Sequence, residues 1–236
     1  MIKQNICLLF TLTVFLTSAY AQKTVNQYDK EGLRHGLWTK NYHNTKEKRY
    51  EGVFKHGKEI DSFKFYTLSG GKSVLSAIKV FNENDSIADV TFLASTNKVI
   101  SEGKMNGKRF IGPWVFYHKN SSKKMIEEHY NESGLLHGER LVYFKNGLVA
   151  EQAHYKNGKL DGESQWFSED GILLRQNHYK EGELEGKTIN YDALGNKTSE
   201  GQYSNSQKKG IWMYYKEGKL IKEINHTTQE VISHKE

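Results

Sequence analysis

The sequence predicts an all-β protein: an elongated antiparallel β-meander built from about eight tandem two-stranded repeats of about 24 residues. Three observations support this fold. Segment 138–158 recurs as segment 162–182, so that like residues lie 24 positions apart. Short runs of β-branched and aromatic residues alternate with Asn-Gly and Asp-Gly pairs, which are typical of tight hairpin turns. No window keeps the three- and four-residue apolar spacing of an amphipathic helix.

Residues 1–21 differ from the rest of the chain. Lys3 gives a positive start, residues 6–16 are apolar, and Ala19 and Ala21 are the small residues that a signal peptidase needs. A transmembrane anchor is the alternative, but this run is shorter than the roughly 20 residues that cross a bilayer. We therefore expect a secretory signal peptide cleaved near Ala21. The mature protein is then periplasmic, outer-membrane-associated or secreted, without a transmembrane segment.

Composition narrows the function classes. Cleavage would remove Cys7, the only cysteine of the 236-residue chain, which leaves the mature protein without disulfides or thiolate chemistry. The formal net charge is +6, but Lys and Glu alternate along the predicted strands. A nucleic-acid groove needs clustered basic residues, so nucleic acid is not an expected partner.

Residues 22–224 are predicted to form the repeat array. One residue, usually glycine, opens each unit and is called the anchor; the eight anchors are Gly36, Asp61, Ala88, Gly112, Gly138, Gly162, Gly186 and Gly210. Asp61 and Ala88 replace the glycine, and the third unit (about 69–101) is the most degenerate. Two turns in each unit, such as those at 146–147 and 157–158, leave about sixteen strands of ordinary length. A β-propeller is the alternative, but the period corresponds to two strands and not to a four-stranded blade.

The polar residues 225–236 are expected to form a tail or to cap the last strand, because an open sheet must protect its edges.

Aromatic residues recur at two positions after the anchor. Tryptophan stands two residues after it at Trp38, Trp114 and Trp212. Such columns bury a large area in a thin sheet. Strand alternation also leaves some rings near water, where they can contact a partner. The candidate binding surface therefore combines one tryptophan with the rings five residues after the anchor: Trp114, Tyr117, Tyr143, Phe167, Tyr191 and Tyr215.

Histidines recur as well, before a tyrosine (His129, His154, His178) and before a glycine (His35, His56, His137). Adjacent units lie two strands, or about 9.6 Å, apart. Zinc–nitrogen bonds measure about 2.0–2.1 Å, so like histidines of successive units cannot share one ion. We expect no metal site and no cofactor.

Catalytic motifs are missing from the sequence, which has no G-x-S-x-G elbow, H-E-x-x-H pair or phosphate-binding glycine loop. Glu139, Glu163 and Glu183 recur from unit to unit, which is typical of charge balance against lysine. An acid–base pair requires two different environments. We expect no enzymatic activity and no catalytic residue.

The runs 112–117 (Gly-Pro-Trp-Val-Phe-Tyr) and 210–215 (Gly-Ile-Trp-Met-Tyr-Tyr), with the Glu-Gly-x-aromatic runs at 51–54 and 200–203, resemble the bacterial MORN-repeat-variant family. That family includes YwqK-like antitoxin or immunity proteins. The resemblance covers about residues 28–220 and implies an elongated β array that binds a partner and catalyses nothing. We therefore expect an interaction scaffold of the cell envelope with an unidentified protein partner. Two alternatives stay open: neutralisation of a toxin, and binding of cell-wall glycan by exposed rings.

Overall fold

The computed structural model describes residues 24–234, all of which lie in strands, turns or irregular segments. The predicted signal peptide, residues 1–21, lies outside the described residues. No helix within 24–234 is long and apolar enough to cross a membrane.

The described residues form nineteen strands, and their bounds are β1 Gln27–Tyr28, β2 Arg34–Asn41, β3 Lys48–Lys55, β4 Lys58–Ser69, β5 Lys72–Phe81, β6 Ile87–Leu93, β7 Val99–Asn106, β8 Arg109–Tyr117, β9 Lys124–Tyr130, β10 Gly138–Tyr143, β11 Val149–Lys156, β12 Lys159–Phe167, β13 Leu173–Lys180, β14 Glu183–Leu184, β15 Gly186–Tyr191, β16 Lys197–Ser204, β17 Gln207–Lys216, β18 Lys219–Asn225 and β19 Glu230–His234. Strands β1 and β14 have two residues each, and β19 lies in the polar segment that follows the array. The other sixteen equal the number expected from the repeats.

Each strand pairs antiparallel with the next one in the sequence, except that β14 pairs only with β13, and β13 pairs with β15 as well. The result is one open meander, as the repeat pattern predicted, and not a ring of propeller blades. Strand β19 pairs with β18 and covers the edge that β18 would otherwise present.

Two kinds of tight turn connect the strands. In one kind, a two-residue turn places both central residues at positive φ, as at Asn157 (50°) and Gly158 (85°). This is the geometry of the type I′ hairpin, which suits the twist of the flanking strands. In the other kind, a longer turn encloses a glycine such as Gly147 (96°), whose amide donates to the Phe144 carbonyl at 2.9 Å.

The anchors are not turn residues. Gly162 has a φ of 115° and lies inside β12, opposite a shift of register between Ala153 and Tyr155 of β11. Such a bulge re-aims the residues that follow it. Asp61 keeps this conformation at 55° without being glycine. Ala88 lies where β5 and β6 pair without a register shift, so the third unit lacks the bulge.

The sheet has two faces with different side chains, because successive residues of a strand point to opposite sides. The tryptophan face carries the residues two positions after each anchor: Trp38, Phe63, Val90, Trp114, Arg140, Ser164, Thr188 and Trp212. The tyrosine face carries the residues five positions after the anchor, six of which are aromatic: Tyr66, Tyr117, Tyr143, Phe167, Tyr191 and Tyr215. The buried hydrophobic clusters of the described chain lie on the tryptophan face.

Candidate binding groove

The tyrosine face carries a ladder of hydrogen bonds. The Tyr66 hydroxyl donates to Glu51 at 2.6 Å, and the Tyr215 hydroxyl donates to Glu200 at 2.8 Å. Tyr117 donates in the same way to Glu102, and Tyr143 to Glu127. Three of the four carboxylates also pair with the lysine three residues before them: Lys48–Glu51, Lys124–Glu127 and Lys197–Glu200.

The hydrogen bonds of this ladder shift the pKa values of tyrosines and glutamates that take part in it. Burial and the bond to Glu51 raise the pKa of Tyr66 to about 12. The bond to Glu102 and burial raise the pKa of Tyr117 to about 12 as well. The Lys48 ammonium, followed by the Tyr66 hydroxyl, holds the pKa of Glu51 below its usual value. At neutral pH the Tyr66 and Tyr117 phenols are therefore protonated donors and Glu51 is a charged acceptor, which gives these tyrosines a structural role.

The six residues of the predicted binding surface do not form one surface. Trp114 is 1% exposed and stacks on Phe110 with ring centroids 3.7 Å apart, so it belongs to the core of the tryptophan face. Tyr117, three residues later on the same strand, points to the opposite face. The five rings on the tyrosine face are half-buried. Sequence spacing groups these rings, but the alternation of the strand separates them.

Three rings of the tryptophan face lie directly over a glycine of the preceding strand. A Cβ added to Gly103 would lie 2.5 Å from the Trp114 ring, and one added to Gly201 would lie 2.3 Å from the Trp212 ring. Gly52 has the same relation to Phe63, at 2.4 Å. Only glycine leaves space for a ring at this position.

The centre of the tryptophan face has polar residues in place of these rings. In the anchor-plus-two column, Arg140, Ser164 and Thr188 stand where four of the other five units have an aromatic residue. Arg140 contacts Glu128 and Glu151, each at 3.0 Å. The Thr188 hydroxyl donates to the Asn177 side chain at 3.1 Å, and both residues are buried.

A groove opens where Thr188 takes the place of a ring. It has a volume of about 240 Å³, and its lining includes Arg175, Asn177, Thr188, Asn190, Ser199, Tyr203, Lys208 and Trp212. Asn190 accepts a hydrogen bond from Arg175 at 3.2 Å and donates to Ser199 at 3.0 Å. The Lys208 ammonium lies 4.0 Å from the centre of the Trp212 ring. A hollow of about 440 Å³ that includes Trp166 shares Arg175 and Asn190 with the groove.

The groove combines two cationic side chains, several amide and hydroxyl groups, and aromatic walls. Such a lining offers donors to carboxylates or amides of a ligand and flat apolar surface beside them. Sequence reasoning missed it because Arg175, Asn190, Ser199 and Lys208 come from four different strands. The interruption of the ring column at Ser164 and Thr188 was the signal that could have located it.

Two sets of the recurring histidines differ in how close their members lie to one another. His129, His154 and His178, which occupy like positions in successive units, are exposed. His35 and His56 occupy different positions in their unit, and their ring centroids lie 4.9 Å apart. The spacing argument against a shared ion covers like positions only, so it does not apply to this pair.

The geometry defines a β-meander repeat protein with an open groove on one face. Comparison with known families agrees at two of the repeats, because the MORN repeat variant model matches residues 136–157 and 160–181. These two segments include β10 to β13, the polar centre of the array. No curated protein matches the chain.

Proposed function

We propose that this protein is an exported, non-enzymatic repeat scaffold of the cell envelope that binds a partner protein through the groove on the tryptophan face. The observation that supports the proposal is the lining of the groove, in which Arg175 and Lys208 stand among amide side chains beside Trp212, with Trp166 in the adjoining hollow. Arginine, tryptophan and tyrosine dominate the binding energy of protein interfaces. The leader-like residues 1–21 support export.

The charge of the groove indicates the chemistry of the partner segment. Arg175 and Lys208 are cationic, and no carboxylate of the described chain lines the groove with them. The segment that fits is a short extended stretch with an acidic side chain. Its carboxylate would accept bonds from Arg175, and its backbone would meet Asn190 and Ser199.

Site-directed photocrosslinking in the native cell envelope tests this proposal. A photoreactive residue at Asn190, inside the groove, is expected to capture one protein. The same residue at Lys187, exposed on the opposite face of strand β15, is the matched control. Arg175→Ala should abolish capture from position 190. Equal capture from both positions, or capture unaffected by Arg175→Ala, would contradict a groove-directed partner. Retention on peptidoglycan without a captured protein would favour the glycan alternative.

A narrower function is neutralisation of a toxin, as in YwqK-like antitoxin or immunity proteins. It is favoured by the match of two repeats to the MORN repeat variant model and by the sequence resemblance to that group. Under this function, deletion of the gene should sensitise the cell to an exported toxin, and the Arg175→Ala protein should fail to restore protection. Unchanged sensitivity after deletion would leave the general scaffold function as the better explanation.

A further inference from the structure

Three side chains with metal-ligand atoms meet at one end of strands β1 to β4. Asp29 follows β1, His35 lies in β2, and His56 lies in the turn between β3 and β4. One ligand atom of each lies within 4.8 Å of the other two. His56 Nδ1 is 2.8 Å from Asp29 Oδ2. Three separate chain segments therefore converge at one end of the first strands.

The carboxylate of Asp29 is already oriented towards the histidines. Its Oδ1 accepts the backbone amides of Glu31 at 3.0 Å and Leu33 at 2.9 Å. This leaves Oδ2 directed at His56. The Asp29 side chain is only 11% exposed, whereas His56 is 59% exposed and open to solvent. Ligating carboxylates in metal sites are commonly held by such outer hydrogen bonds.

The fifth unit, taken like the first together with the residues that lead into its anchor, shows what the same turn looks like without these ligands. There Asn131 Oδ1 accepts the amides of Ser133 and Leu135, each at 3.0 Å, as Asp29 does in the first unit. Asn131 Nδ2 donates to Asn157 at 3.0 Å, where the first unit has the Asp29–His56 contact. His137, before the anchor, corresponds to His35. Two asparagines are therefore enough to form this turn. The turn itself does not require the Asp29–His56 pair of the first unit.

We propose that Asp29, His35 and His56 bind a divalent transition-metal ion of the zinc type, with water in the fourth position. Two imidazoles and one carboxylate form a known ligand set for zinc with an open position. Bond lengths of about 2.0–2.2 Å place tetrahedral ligand atoms about 3.3 Å apart, so the exposed histidines need only small side-chain rotations. His56 would bind through Nδ1 and keep its proton on Nε2. The ion would tie together the turn after β1, strand β2 and the β3–β4 turn, and so fasten the first edge of the sheet.

Titration of the purified protein, carrying a tag without histidine, with Zn²⁺ tests the site. Calorimetry should give one ion per chain, and Co²⁺ should give the visible absorption bands of a tetrahedral site. The double variant Asp29→Asn and His56→Asn reproduces the fifth unit and should weaken binding at least tenfold with an unchanged circular dichroism spectrum. His178→Ala, which removes an exposed histidine elsewhere, is the control and should bind as the wild type does.

A gain-of-site variant makes the test independent of any loss of folding. Asn131→Asp with Asn157→His gives the fifth unit the ligands of the first, and the stoichiometry should rise from one ion to two. Bound Zn²⁺ should also raise the midpoint of thermal unfolding, because it binds only the folded chain. Absence of Zn²⁺ binding at 100-fold molar excess, or binding that the Asp29/His56 variant leaves unchanged, would overturn the proposal.

Discussion

The tryptophan face has two kinds of section built on the same backbone. In the outer sections, aromatic rings pack on one another. Trp38 packs with Phe54 and Phe63 in the first strands, and Trp114 packs with Phe110 further along the chain. In the central section, strands β10 to β15 place Arg140, Ser164 and Thr188 in the same column. The hydrogen-bonded pairing of strands continues through both sections without interruption.

The difference lies in pairs of residues and not in single positions. At three of the four rings of the column, those of Phe63, Trp114 and Trp212, glycine stands opposite on the preceding strand, as with Gly103 and Trp114. Where the column residue is small, the opposite residue has a side chain, as with Ala153 opposite Ser164. A small residue and its partner fill less space above the sheet than a ring over glycine does. The repeat therefore exchanges an apolar core for a polar face that leaves room for the groove beside Thr188.

Loss of a ring from an outer section should have the largest effect on stability. Trp114 is 1% exposed and stacks on Phe110, so Trp114→Ala leaves a large cavity. We expect the free energy of unfolding to fall by about 3–5 kcal/mol. Urea unfolding monitored by circular dichroism measures the loss. The matched central variant, Thr188→Ala, should lose about 1 kcal/mol, and equal losses would remove the distinction between the sections.

The central section depends on one ionic group, and its removal should have the next largest effect. Arg140 is 19% exposed and holds Glu128 and Glu151 on either side. Arg140→Ala leaves two carboxylates without their partner, and we expect a loss of about 2–3 kcal/mol, less than for a fully buried pair. Replacement of all three by leucine should restore most of the stability. A triple variant as unstable as the single one would show that the cost is lost packing and not unpaired charge.

Much of the fold follows from local chemistry in the sequence. An Asn-Gly pair between two β-rich runs predicts a tight hairpin turn, as observed at Asn157 and Gly158. The 24-residue period predicts how often such hairpins follow one another. The anchors were harder to interpret, because a conserved-looking glycine between turn signals does not reveal whether it forms a turn or a bulge. Gly162 adopts its φ of 115° inside a strand. The bulge depends on the partner strand, which one unit alone does not specify.

The groove and the histidine cluster were less accessible to prediction for a related reason. Each is assembled from residues that occupy different positions in different units, whereas repeat analysis compares like positions. His35 precedes an anchor and His56 occupies a turn, yet the two rings meet. For the tyrosine ladder the opposite holds: the sequence predicts the regular column of rings but does not reveal their hydrogen bonds to glutamate. Those bonds join residues about 15 positions apart, which is less than one period.

The pairing of glycine with a ring gives a direct test of the comparison. Gly103→Ala places a Cβ about 2.5 Å from the Trp114 ring, and we expect a loss of about 1–3 kcal/mol from overpacking. The reverse change in the central section, Ala153→Gly, should cost about 1 kcal/mol through backbone entropy. Unfolding in urea compares the two. If Gly103→Ala is neutral, the ring has moved and the steric rule for the outer sections is wrong.

A smaller effect of opposite sign is expected at Ser164. Within residues 24–234, its hydroxyl oxygen is the buried side-chain atom without a hydrogen-bond partner. Ser164→Ala removes an unsatisfied polar group with almost no change of volume and should stabilise the protein by about 1 kcal/mol. Thr188→Val is the control, because the Thr188 hydroxyl does donate to Asn177 and its loss should destabilise. Destabilisation by both variants would indicate that Ser164 has a partner in solution.

The smallest effect is a pH dependence confined to the last aromatic section. His226 packs against Trp212 at 5.9 Å, and burial, followed by the nearby Lys208 ammonium, holds the pKa of His226 below its usual value. Because the unfolded chain binds this proton more readily, the stabilisation is complete above the unfolded pKa of about 6.5 and is lost as the pH falls through the lower folded value. The difference in unfolding free energy between wild type and His226→Asn should therefore shrink from pH 7.5 to pH 5. A difference that stays constant over this pH range would show that burial does not suppress the protonation of His226.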